Sequence, residues 1–167
     1  VALLVGEGSS IRTDWAGSPA IYDGRAVGAF TQIWTKEAVY TVSAYFVVGI
    51  GFTGENVKLA AAISARVKGQ PAGFIVGLDA NMTAEELIAA HWPQKLGAVI
   101  VQSENCNPSY TSGGYASNID MFLVDTRLYN EVHGRGLHAW APTAKHKPLW
   151  MSLSPTPQMT KLVHVRH

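Results

Sequence analysis

The sequence predicts an α/β fold, and three observations carry that expectation. Short apolar runs rich in β-branched and aromatic residues alternate with segments of helical periodicity. Glycines and small polar clusters punctuate these runs at strand-like lengths. Of the 167 residues, 47% are apolar and 15% charged, which suits one compact domain with a sizeable core rather than a disordered chain.

The elements follow in chain order. Ala2 to Val5 are apolar and run into Gly6 and Gly8, the pattern of a strand ending in a turn, so the chain opens inside a sheet. Gly6-Glu7-Gly8-Ser9-Ser10 lacks the third glycine and the Gly-Lys-Ser/Thr of nucleotide-binding loops, so it reads as a turn. Residues 24–34 and 38–46 are rich in β-formers and separated by Lys36-Glu37, which predicts a hairpin. The longest apolar stretch, 42–52, contains Ser43 and two glycines and is shorter than the roughly 20 apolar residues that span a bilayer. It reads as a buried strand, and no membrane partner is expected.

Thr53-Gly54-Glu55-Asn56 opens an amphipathic helix with Val57, Ala60, Ile63, Ser64 and Val67 at helical spacing, ending before Gly69. Residues 73–78, apolar and bounded by glycine, form a central buried strand that feeds into Asp79-Ala80-Asn81. Thr83-Ala84-Glu85-Glu86 matches a capping box for a helix through Ala90. Strands are expected at 96–102 and 119–124, joined by a loop rich in Ser, Asn, Pro and Gly over 103–117, and a last strand at 149–153. After Pro155 the composition turns polar and basic, so 1–154 is read as the domain and 155–167 as a tail or linker.

Composition leaves function open. Thirteen Lys and Arg against twelve Asp and Glu give a formal charge of +1, so a nucleic-acid substrate has to be argued from local residues. Lone Cys106 cannot form an internal disulfide, which suits a reducing compartment and an intracellular location, cytoplasmic or nuclear. His164 and His167 stand three apart in the tail with no accompanying ligands. The five tryptophans, Trp15, Trp34, Trp92, Trp140 and Trp150, read as packing or surface aromatics, one of which could stack on an unpaired base near a site.

Three segments carry a resemblance: the strand end Asp79-Ala80-Asn81-Met82-Thr83, then Ser117-Asn118-Ile119-Asp120-Met121-Phe122-Leu123-Val124, then His146-Lys147-Pro148-Leu149-Trp150. In order, spacing and strand context they are similar to the Gly-Asp-Phe-Asn, Ile-Asp-Tyr and Ser-Asp-His patterns of the endonuclease/exonuclease/phosphatase superfamily. Within it, Ala44-Tyr45, the helix start at Thr53 and the His-Lys-Pro segment look most like the endonuclease domains of LINE-type non-LTR retroelements. The resemblance implies a DNase I-like fold, here a partial two-sheet β-sandwich flanked by helices and formed by the C-terminal part of the family domain.

The resemblance also implies an activity: Mg²⁺-dependent phosphodiester hydrolysis by an endonuclease acting on DNA. Such chemistry needs an activated water in line with the leaving oxygen and donors or positive charge on the phosphoryl oxygens. By resemblance, Asp79 orients or deprotonates the water, Asn81 holds that water or a phosphate oxygen, His146 hydrogen-bonds the phosphoryl group, and Asp120 fixes the imidazole's tautomer. Tyr45 matches the family's phosphate-contacting tyrosine, although Phe46-Val47-Val48 lacks the usual Pro and Asn after it.

Two departures bear on activity. The family's Asn and Glu metal ligands belong to early strands with no counterpart in this chain, so the metal ligands stay unknown. Lys145 stands where the family has an aspartate beside the catalytic histidine, and is read as a phosphate contact or as decay of the site. Two alternatives therefore remain: a catalytically inactive remnant that binds nucleic acid or protein, and a phosphatase of a lipid or small-molecule phosphate. A partial sandwich is also expected to associate through exposed sheet edges or with a missing N-terminal part.

Overall fold

In the computed structural model, residues 10–12, 20–22, 24–32, 38–105, 107–138 and 145–154 are described. In chain order the strands of the main sheet are β1 (Ser10–Arg12), β2 (Ala20–Tyr22), β3 (Ala26–Gln32), β4 (Ala38–Tyr45), β5 (Phe74–Asp79), β6 (Ala98–Val101) and β9 (Asp120–Asp125). They run in the order β1-β3-β4-β5-β9-β6, with β2 also paired to β3. The expected hairpin is β3–β4, in register from Ala26 opposite Ala44 to Gln32 opposite Ala38. β4 and β5 are parallel, joined by the crossover helix α1 (Gly54–Val67), and the other pairings are antiparallel.

Period-two alternation gives the sheet two apolar faces. On one, Val42, Ala44, Phe74, Val76, Leu78, Met121 and Leu123 pack against Leu59, Ala60, Ile63 and Val67 of α1, Leu87 of α2 (Ala84–Ala89) and Trp92 of α3 (Trp92–Leu96). Burying each of the larger aliphatic side chains is worth about 1.5–3 kcal/mol, so α1 is held mainly by this face. On the other face, Val39, Ile75, Val101, Val124 and Leu128 pack with Val132 of β10 (Val132–Leu137) and with Met151 and Leu153 of β11 (Leu149–Leu153). β10 and β11 form a second, antiparallel sheet. The molecule is therefore a two-sheet sandwich with helices on the outer face of the larger sheet, as the sequence predicts.

Several expectations need correction. The apolar stretch 42–52 is strand only as far as Tyr45; beyond Phe46 the chain turns, with Gly49 and Gly51 at φ 79° and 57°. Val57 is 43% exposed and does not belong to the buried face of α1, which Asn56 joins instead at 0% exposure. Asn56 accepts from Val47 N–H at 2.7 Å and donates to the carbonyls of Val47 (2.9 Å) and Gly51 (2.8 Å), so one buried amide holds the turn.

The loop expected over 103–117 contains a hairpin, β7 (Tyr110–Ser112) and β8 (Tyr115–Ser117), whose turn residues Gly113 and Gly114 both have positive φ. Strand bounds shrink to β6 at 98–101, and β9 runs one residue past 124. The capping box holds: Thr83 Oγ1 accepts from Glu86 N–H at 3.4 Å, and Glu86 Oε2 accepts from Thr83 N–H at 2.7 Å. The opening strand 2–5, the turn 6–9, Cys106, Trp15, Trp34, Trp140 and the tail 155–167 lie outside the described residues. Among the described residues no helix is long and apolar enough to cross a membrane.

Candidate active site

Sheet register brings the first three candidates into one row. Tyr45 lies opposite Asp79 across the parallel β4–β5 pair, and Asp79 lies opposite Asp120 across the antiparallel β5–β9 pair. Directly opposed residues point to the same face, so these side chains share the face that β10–β11 covers further along the strands. They border a cleft of about 260 Å³ whose floor includes Ser43, Gly77 and Phe122 and whose wall includes Leu149 of β11. Gly77 keeps the floor low: a Cβ there would already meet the Phe122 ring at 3.5 Å.

The fourth candidate arrives from a distant segment. His146 forms an isolated antiparallel bridge with Tyr110, fixed by Thr111 N–H donating to Lys145 O at 2.9 Å and Lys147 N–H donating to Ser109 O at 2.7 Å. Tyr110 packs on the imidazole with ring centroids 4.8 Å apart. His146 Nδ1 then lies 3.1 Å from Asp120 Oδ2. An ionised carboxylate only accepts, so this contact keeps the proton on Nδ1 and leaves Nε2 as the imidazole's other working nitrogen.

Asp79 sits at the centre. Burial pushes its carboxyl pKa above the usual value and the charge of Asp120 pushes it further, while His146 and the Asn81 N–H, 3.3 Å from Asp79 Oδ1, pull it partly back. Asn81 turns the chain at the end of β5 with φ 49°, a left-handed conformation that Asn tolerates. Its side-chain NH₂ donates to Phe46 O at 2.8 Å, tying this turn to the end of β4. Tyr45 is 38% exposed, and the Arg25 guanidinium lies 5.7 Å from its ring centroid. Lys145 is exposed next to His146.

Two positioning residues escaped the sequence reading. Ser109, 2% exposed, accepts through Oγ from the N–H groups of Ile119 (3.3 Å) and Asp120 (3.1 Å), and so sets the start of β9 where the carboxylate is needed. Asn118 Oδ1 accepts from Ser109 N–H at 3.1 Å. Asn118 stands inside the second motif, and its small amide beside the key aspartate was the available signal; nothing in the sequence marks Ser109. Arg25 was likewise not singled out.

Donor atoms of Asp79, Asp120 and His146 all lie within 4.8 Å of one another, an acidic cluster that could hold a metal ion. Since Nδ1 of His146 is engaged by Asp120, the donors that fit a cation are carboxylate oxygens of Asp79 and Asp120. Two adjacent carboxylates, one with its pKa raised by burial and then by the other's charge, suit a divalent cation in charge, and oxygen donors suit a hard one.

No family model matches this sequence, and no curated protein matches it significantly. Solved structures do resemble it. The endonuclease domain of TRAS1, a telomere-specific non-LTR retrotransposon, superposes with a TM-score of 0.68 at 17% identity, covering 89% of this chain and 70% of that one. The 3'-5' exonuclease NExo from Neisseria meningitidis gives 0.58 at 13% identity, over 77% of this chain and 64% of its own. The AP endonuclease LMAP from Leishmania major gives 0.59 at 16%, over 79% and 55%. This chain therefore spans between 55% and 70% of the length of these three structures. At such identities the likeness is one of fold, a mixed α/β arrangement of sheets flanked by helices of the DNase I-like kind.

Proposed function

We propose that the chain carries a hydrolytic site for phosphodiester bonds and acts as a Mg²⁺-dependent endonuclease on DNA. The observation that carries this reading is the convergence of Asp79, Asp120 and His146 from β5, β9 and the 145–148 segment, with His146 Nδ1 on Asp120. The likeness to two endonucleases and an exonuclease supports it.

In this reading Asp79, its basicity raised by burial and by Asp120, orients the attacking water and takes its proton. Asn81, already fixed by its bond to Phe46 O, holds that water or a phosphate oxygen. Asp120 accepts from Nδ1–H, and with both ring nitrogens protonated His146 donates Nε2–H to the phosphoryl oxygen on which charge develops. Tyr45, and Lys145 beside His146, contact flanking phosphate oxygens. Asp79 and Asp120 would hold Mg²⁺ through carboxylate oxygens. The cation supplies neutralisation of the transition-state charge and a more acidic water.

Nicking of supercoiled plasmid by this chain with and without Mg²⁺, beside an otherwise identical His146→Ala protein, tests the reading. Nicking that requires both is expected. Nicking that survives His146→Ala would remove the site from the reaction, and no nicking at all would leave a binding remnant of the same fold.

A further inference from the structure

A second concavity, of about 290 Å³, borders the same segment as His146 yet shares no lining residue with the Asp79–Asp120 cleft. Lys147, Trp150 and Arg135 line it with the amide side chains of Asn105 and Asn107 and one carboxylate, Glu104. Glu104 and Arg135 also border a neighbouring hollow lined by Tyr129 and His133. Among the described residues neither Arg135 nor Lys147 makes an ion pair.

Trp150 is held as a platform. Its partner across the β10–β11 pair is Gly136, and a Cβ added there would meet the indole at 3.1 Å; at Gly134 it would meet it at 3.4 Å. The indole thus rests on backbone that carries no side chain, and it still keeps 38% of its surface in solvent. A fixed aromatic face with cations beside it is the combination that binds unpaired bases and their phosphates.

We propose that this groove binds single-stranded nucleic acid, one unpaired base stacking on Trp150 while Arg135 and Lys147 meet phosphates and Asn105 and Asn107 meet base edges. The inference deepens the nuclease reading, on which it rests for the identity of the strand, by giving the strand a course beyond the cleaved phosphate.

The test is fluorescence anisotropy of a labelled oligothymidylate with the whole chain in EDTA, where binding is read without turnover. Trp150→Leu, apolar but not aromatic, is expected to weaken binding roughly 5- to 150-fold, while Trp150→Phe keeps most of it. The Arg135→Ala/Lys147→Ala double variant is expected to flatten the slope of log K against log salt by about 1.4. Circular dichroism melts accompany each variant, and the Phe/Leu contrast keeps the test independent of lost packing volume. Absent binding, equal binding by the Phe and Leu variants, or equal displacement by oligoglutamate, which would make the groove an acidic-peptide site, each overturns the proposal. If no form nicks plasmid while Trp150-dependent binding persists, the hydrolytic reading falls and the groove stands.

Discussion

At the scale of single residues, the chemistry turns on how two carboxylates on facing positions of β5 and β9 are kept different. Asp120 is committed to His146, while half-buried Asp79 has its pKa raised by that burial and by the like charge beside it. Mg²⁺ on these carboxylates would draw the value down again, so the raised pKa belongs to the metal-free protein, where Asp79 is expected to titrate above the ordinary carboxylate range by NMR. Asp120→Asn removes the neighbouring charge and should lower the Asp79 pKa in that titration, while lowering the rate roughly 10²- to 10⁴-fold because a neutral amide supports the imidazolium less than a carboxylate does. The same shift predicts a stability effect. A carboxyl whose folded pKa lies above its unfolded value favours folding fully below the unfolded pKa, and that contribution is lost as pH rises through the folded pKa. Asp79→Asn should therefore raise the melting temperature at neutral pH while abolishing nicking, and the thermal gain should vanish on acidification below the carboxylate range. A melting temperature lowered at pH 7 would show that the ionised form is the one the fold favours. Lys145→Asp separates contact from decay: lost activity is expected if the ammonium meets a phosphate, and a gain would identify a decayed ligand position.

At the scale of elements, the part of the fold written in short-range pattern was readable and the part written across space was not. Alternation and glycine boundaries announced β3, β4, β5, β9 and β11, and Thr83 with Glu86 announced α2. β10 is Val-His-Gly-Arg-Gly-Leu, which has no alternation of its own, because the apolar cover over its glycines comes from Trp150 on the partner strand. α3 starts at His91 in a left-handed conformation with φ 57°, a boundary no propensity marks, and is held by Trp92 stacking on Phe46. The Gly113-Gly114 signal of the β7–β8 hairpin was present but submerged in a polar loop. The candidate site was legible because Asp79 and Asp120 sit at strand ends, whereas Ser109, which works only through a fold contact ten residues away, was not. Asn56 makes the same point with a measurable consequence. Its replacement by Ala leaves three part-buried backbone groups, Val47 N–H and the carbonyls of Val47 and Gly51, without their amide partner, so urea denaturation should show about 1–3 kcal/mol of lost stability. A loss under about 0.5 kcal/mol, typical of a surface change, would mean that water replaces the amide.

At the scale of the whole molecule, the two faces of the main sheet are unequally secured. The helix side buries Leu59, Ile63, Val67 and Leu87 at 1% exposure or less, together with the β4, β5 and β9 residues beneath them. The opposite side is covered by a two-stranded sheet whose contacting residues Val132, Met151 and Leu153 are only partly buried. Local opening follows the least buried apolar contacts, so β10–β11 should detach at a lower free energy than β5 and β9 separate. The site straddles this division: Asp79 and Asp120 belong to the strongly packed sheet, whereas His146 leads into β11 through Lys147 and Pro148, bridges to Tyr110 of β7 and bonds to Asp120. Release of β11 loosens the histidine while leaving the carboxylate row in place. Leu59→Ala should accordingly cost about 2–5 kcal/mol in global stability, whereas Met151→Ala should cost less globally and act mainly on β10–β11. In native-state hydrogen exchange, amides of 132–137 and 149–153 should open with smaller free energies than those of 74–79 and 121–124. Nicking activity, if the hydrolytic reading holds, should fade at urea concentrations below the midpoint seen by circular dichroism, and Met151→Ala should widen that gap. Coincident loss of activity and secondary structure would show instead that both sheets unfold as one unit and that the histidine is held as firmly as the aspartates.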